Sequence, residues 1–136
     1  QGGALTLAAA EVAEFIGARY ICVFTESGDT VRRMSRLRKP IPILGFTPSY
    51  AIRRRMELTW GADSFTTPRV DSTDEMFGQV DGVLLSNERA QIGDTVLVIA
   101  GSPPGVVGST NTLRIHRVGE SSGLLADAGP RKHLSD

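Results

Sequence analysis

Apolar residues recur along this chain in two rhythms, helical stripes and short unbroken runs. Ala8, Val12, Phe15 and Ile16 fall at helical spacing, and Gly17 supplies a stop for a helix over about 4–16. Tyr20-Ile21-Cys22-Val23-Phe24 is continuous, as a strand covered on both faces is. After a Ser27-Gly28 turn, Val31, Met34 and Leu37 mark one face of a second helix, with Arg32, Arg33 and Arg36 pointing elsewhere. Pro40 and Pro42 end it, and Ile41 to Phe46 reads as the second strand.

Thr47-Pro48-Ser49 opens a third helix, with Pro inside the first turn and Ile52 and Met56 as its buried stripe. Residues 60–66 hold a turn and a short third strand. Ser72-Thr73-Asp74-Glu75 is a capping box before a helix with apolar positions Met76, Val80, Val83 and Leu84. Gly93-Asp94 turns into a fourth strand over 95–100, and a last strand covers about 112–118. A loop of about ten residues joins these two, too short for a parallel crossover, so the last strand is expected to be antiparallel and at an edge. The fold expected is a three-layer α/β/α domain, with a mostly parallel five-stranded sheet and an antiparallel edge strand. It is expected to occupy 1–119, with 120–136 a flexible C-terminal tail.

Composition narrows the function classes. In 136 residues, 15 basic residues balance 15 acidic ones, so no global field draws the chain to nucleic acid or an anionic membrane. One cysteine, Cys22, excludes an internal disulfide and fits a reducing compartment. No apolar run approaches the roughly 20 residues that span a bilayer, and no secretory leader is recognisable, so a cytoplasmic location is expected. The first residue is Gln1 rather than Met, as expected of a processed piece or of a cut from something longer.

Two loops after strand-like runs carry the candidate chemistry. Thr25-Glu26-Ser27-Gly28-Asp29-Thr30 lies between the first strand and a helix N-terminus, where unpaired N–H groups and hydroxyls suit a phosphate. Read locally, Ser27 caps the helix, Gly28 allows the turn and Asp29 satisfies the dipole. No lysine follows the glycines as a Walker motif requires. The second loop runs from Gly101 to Asn111 and includes Gly105, Gly108, Ser109 and Thr110. Its glycines permit close backbone approach to a ligand, and loops of this length are often functional. If the last strand returns beside the first, both loops share one end of the sheet.

Other candidates have plainer readings. The basic run 32–39 could meet phosphates or a neighbouring subunit, but a solvated helix face is favoured. Trp60 is a candidate stacking surface for a sugar or base, with core or interface packing favoured. His116 is expected to be structural, and His133 lies in the tail. Two histidines and one cysteine so dispersed make no metal site. No nucleophile–base arrangement is evident, and Cys22 is expected in the core.

The order and spacing of several segments resemble a known family. The Ala-rich helix 4–16, Phe24-Thr25-Glu26-Ser27-Gly28-Asp29-Thr30, Ser35-Arg36-Leu37-Arg38, Pro42-Ile43, Gly93-Asp94-Thr95-Val96 and Gly101-Ser102-Pro103-Pro104-Gly105…Gly108-Ser109-Thr110-Asn111 are similar to the C-terminal domain of pyruvate kinase, most of all in bacterial members. The likeness covers residues 4 to 119.

The resemblance implies an allosteric effector-binding and subunit-assembly domain. In the family, a separate β/α barrel transfers phosphoryl from phosphoenolpyruvate to ADP with Mg²⁺ and usually K⁺. This chain is too short to include that barrel, so it is expected to be non-catalytic alone and to bind no cofactor itself. The effector's phosphate is implied to sit on Thr25, Ser27, Gly28 and Thr30, with the Gly101–Thr110 loop closing over it. The last strand is implied to join subunits of a homo-oligomer.

One departure bears on specificity. Members activated by fructose 1,6-bisphosphate commonly carry Lys where this chain has Glu26, and some carry Arg where it has Asp29. Two carboxylates repel a doubly phosphorylated sugar. The expected effector is a sugar monophosphate or an AMP-like nucleotide. The competing reading is a stand-alone small α/β domain that binds or acts on a phosphorylated metabolite or nucleotide.

Overall fold

A computed structural model describes residues 2–37, 40–60, 62–100 and 112–121. In chain order the elements are α1 (Gly2–Ile16), β1 (Ile21–Phe24), α2 (Asp29–Arg36), β2 (Ile43–Thr47), α3 (Tyr50–Arg55), a π-helical turn (Met56–Trp60), β3 (Asp63–Thr66), α4 (Thr73–Ser86), β4 (Thr95–Ala100) and β5 (Thr112–Arg117). They form one five-stranded sheet in the order β3-β2-β1-β4-β5. Strands β1 to β4 are parallel, and β5 runs antiparallel to β4 at the edge, with Thr95 opposite Arg117 and Ala100 opposite Thr112. The α/β class, the mostly parallel sheet and the antiparallel edge strand are those expected from the sequence.

Chain order dictates the layers. Stepping from β1 to β2 to β3 with right-handed crossovers puts α2 and α3 on one face; returning over the sheet to β4 puts α4 on the other. Two cores result. On the first face Ile21, Val23, Leu97 and Ile99 meet Ala9, Ala10 and Ala13 of α1, Val31 and Met34 of α2, and Met56. On the second face Cys22, Leu44, Phe46, Val96 and Val98 meet Met76, Val80 and Leu84 of α4. Strand β1 thus contributes alternate residues to both cores, which is why its sequence is unbroken in apolar character.

The buried stripe of α1 differs from the one expected. Thr6, Ala9, Ala10 and Ala13 are buried, whereas Ala8 is exposed and Phe15 is 91% exposed. Val12 and Ile16 pack only at the margin of the core. Small side chains let α1 approach the sheet and α2 closely, a space that a phenylalanine would overfill.

Local signals behave as their chemistry dictates. Gly28 caps α2 with φ 86°, a left-handed conformation that glycine adopts without penalty. Ser49 caps α3, its Oγ accepting from the Ile52 N–H at 3.2 Å, so Pro48 lies just before the helix and not inside its first turn. Arg33 and Arg36 are exposed on α2, and Arg32 pairs with Asp29 at 3.3 Å, so these residues of the basic run form a solvated face. Strand β5 ends at Arg117, one residue earlier than expected. Ser121, read from sequence as tail, is tied to Asp81 of α4 by its hydroxyl and by its N–H at 3.3 Å. Residues 122–136, the side chain of Trp60 and His133 lie outside the described residues.

Candidate functional site

The carboxyl ends of the parallel strands open on a cavity of about 420 Å³. Strand order reverses between β1 and β4, and in open α/β sheets ligands bind in the crevice outside the carboxyl ends of the strands at such a switch point. Phe24 at the end of β1 and Ala100 at the end of β4 both line it.

One wall is the turn from β1 to α2, contributing Thr25, Glu26, Ser27 and Thr30. The turn is internally braced. Gly28 N–H donates to Thr25 Oγ1 at 2.8 Å, and Asp29 N–H donates to Ser27 Oγ at 3.1 Å. Both hydroxyls serve as acceptors inside the turn, which leaves each O–H free to donate outward. An α-helix that begins at Asp29 also leaves the Thr30 and Val31 N–H groups without intrahelical acceptors.

The opposite wall runs from Thr67 to Thr73, between β3 and α4. Ser72 accepts from the Glu75 N–H at 3.1 Å, as the N-cap of a capping box does, and Glu75 Oε1 reaches back one residue further, accepting from the Asp71 N–H at 2.7 Å. Gln79 Nε2 donates to the Pro68 carbonyl at 2.7 Å and pins the approach to the helix. The N-terminal ends of both α2 and α4 therefore border one cavity. Phe24 and Phe46, stacked at 4.8 Å, and Met76 give it an apolar side.

Charge on the described walls is sparse. Glu26, Asp71 and Arg69 line the cavity, and Arg69 Nη1 lies 3.0 Å from Glu26 Oε2. Asp29, expected to face the ligand beside Glu26, is off the wall and paired with Arg32. Gly28 also lies off the wall; its part is the shape of the turn. Gly101, Gly105, Gly108, Ser109 and Thr110 lie outside the described residues. The residues flanking that loop, Ala100 and Thr112, both reach the cavity.

The segment 67–73 is not among the site residues expected from the sequence, where Ser72 and Thr73 are read only as the start of a helix. A signal for it existed: the third strand is parallel to the first, so the loop after it must leave from the same rim. Among the described residues, no three His, Cys, Asp or Glu side chains are grouped to hold a metal ion, and no helix is long and apolar enough to cross a membrane.

Comparison with known proteins identifies the architecture. The family model "Pyruvate kinase, alpha/beta domain" matches residues 3–116. A pyruvate kinase of Mycobacterium tuberculosis (strain CDC 1551 / Oshkosh) is 46% identical over 118 residues, 87% of this chain and 25% of the relative. A pyruvate kinase of Corynebacterium efficiens is 44% identical over 120 residues, 88% of this chain and 25% of that one. This chain therefore spans about a quarter of the length of these relatives. Among solved structures, Cryptosporidium parvum pyruvate kinase in complex with ADP superimposes with a TM-score of 0.76 at 21% identity, over 86% of this chain and 23% of that one. A family match across most of the chain, two bacterial relatives above 40% identity and a shared fold have one reading: the chain belongs to the pyruvate kinase family, as its C-terminal α/β domain.

Proposed function

We propose that this domain binds a phosphorylated effector and joins subunits within a cytoplasmic pyruvate kinase. Phosphoryl transfer from phosphoenolpyruvate to ADP, with its Mg²⁺ and K⁺, then belongs to a β/α barrel elsewhere in that enzyme. The observation that carries the effector role is the cavity at the switch point, bordered by hydroxyls and by two helix N-termini. Unpaired N–H groups at a helix start favour an oxyanion, and the Thr25, Ser27 and Thr30 hydroxyls supply further donors.

The effector favoured is a sugar monophosphate or an AMP-like nucleotide. On the described walls Glu26 and Asp71 stand against a single guanidinium, a balance that suits one phosphate better than two. Calorimetry on the full-length protein tests this: glucose 6-phosphate or AMP is expected to bind more tightly than fructose 1,6-bisphosphate. The reverse order would refute the monophosphate reading, and no binding by any of the three would refute the effector role.

Assembly is proposed to use β5. Its outer edge has no partner strand within the described sheet, and Ile115 on it is 56% exposed. An unpaired edge with an exposed isoleucine is a surface that a second copy can cover.

A further inference from the structure

The ion pair between Glu26 and Arg69 joins the two walls of the cavity. Glu26 stands in the β1–α2 turn between Thr25 and Ser27, the hydroxyls that would meet a phosphate. Arg69 stands in the β3–α4 segment, 43 positions further along the chain, and is the one cationic side chain on the described walls. Its Nη1 donates to Glu26 Oε2 at 3.0 Å, and the two side chains are 49% and 45% exposed. So exposed a pair is screened by water and is easily exchanged. A guanidinium is also shaped to meet two oxygens of a phosphate at once.

We propose that Arg69 is a specificity-determining residue of the effector cavity, held by Glu26 until an anionic ligand group takes the guanidinium over. The inference rests on the effector reading above and adds an internal competitor to it. A ligand must do more than reach the hydroxyls of the turn: it must displace a carboxylate from Arg69 and tolerate that carboxylate nearby. One phosphate can take the guanidinium while Glu26 turns to solvent. A second phosphate finds no further cation on the described walls, and it meets Glu26 and Asp71 instead.

Two single substitutions and their combination test this in the full-length protein, with calorimetric Kd values for glucose 6-phosphate, AMP and inorganic phosphate. Glu26→Gln removes the competitor and is expected to tighten binding about five-fold, the most that an exposed pair can withhold. Arg69→Gln removes the cation and is expected to weaken binding about tenfold, the loss of one charge-assisted contact. In Arg69→Gln, adding Glu26→Gln is expected to recover less than Glu26→Gln gains in the wild type, since there is no guanidinium left to release. Binding by Arg69→Gln within two-fold of wild type, while Thr30→Val loses it, overturns the proposal and leaves the effector reading standing. Failure of the wild type to bind any of the three probes, or wild-type affinity in Thr30→Val, overturns the effector reading and the proposal with it. Tightening only for inorganic phosphate would place the contact off the ligand's path and also overturn the proposal.

Discussion

His116 Nε2 lies 2.8 Å from Asp81 Oδ1, and both side chains are buried. The strand β5 and the helix α4 are thereby joined on the second face of the sheet. Phe77 stacks on the imidazole at 4.5 Å, and Ser121 donates to the other carboxylate oxygen. A carboxylate out of water needs such donors, because an unpaired buried charge is strongly unfavourable. Removing one partner strands the other. Asp81→Ala is expected to lower stability by about 3 kcal/mol, and His116→Ala by a similar or smaller amount. The double variant should cost clearly less than the sum of the two. Urea midpoints measure all three; additive losses would show that the contact carries no coupling.

Cys22 carries a pH dependence of its own. Burial pushes its thiol far above the ordinary 9.0, and the nearby Asp81 carboxylate adds to the shift. In the unfolded chain the thiol ionises near 9, while in the folded chain it keeps its proton. Above that pH the folded state binds more protons than the unfolded state, so stability must fall as pH rises. One group contributes up to about 1.4 kcal/mol per pH unit. Urea midpoints from pH 8 to 11 should therefore decline less steeply in Cys22→Ala than in the wild type. The folded thiol should also resist alkylation at pH 8, where a free cysteine reacts.

Much of the fold was legible because its signals are local. The capping box at Ser72–Glu75 marks the start of α4 within one residue, since only those side chains satisfy those N–H groups. The unbroken run 95–100 is β4 itself, and the short loop after it forces β5 to run antiparallel. Which face of α1 is buried was not legible. Periodicity weighs bulk, yet here alanines go inward and Phe15 outward, because the distance between α1 and the sheet is a tertiary quantity. The π-helical turn at Met56–Trp60 was equally invisible, having no local residue signature. For the cavity, Thr25, Glu26, Ser27 and Thr30 could be read from the strand-to-helix turn. Arg69 could not, because its meaning comes from a partner 43 positions away.

Gly45 in β2 is a place where close packing needs a missing side chain. A Cβ there would lie 2.9 Å from Met56 Sδ, 3.0 Å from its Cε and 3.3 Å from Val31 Cγ2. Both neighbours are fully buried, so the methionine has to shift within a filled core. Gly45→Ala is expected to lower stability by about 1–2 kcal/mol. Thermal or urea unfolding checks this, and Gly45→Val should be worse than Gly45→Ala.

The last strand offers a test of assembly separable from folding. Leu113 packs against the core on the α1 face, and Ile115, two positions on, lies on that same face of β5 yet stays 56% exposed. Its exposure means that a polar replacement removes little from the folded domain. Ile115→Lys is therefore expected to shift stability by no more than about 0.5 kcal/mol. If β5 joins subunits as proposed, the same substitution places a charge in a covered apolar contact, where it is unfavourable on both copies. Sedimentation of the full-length protein should then show a smaller assembly for Ile115→Lys, with the unfolding midpoint at matched dissociated concentrations unchanged. An unaltered sedimentation coefficient would mean that subunits meet without this strand.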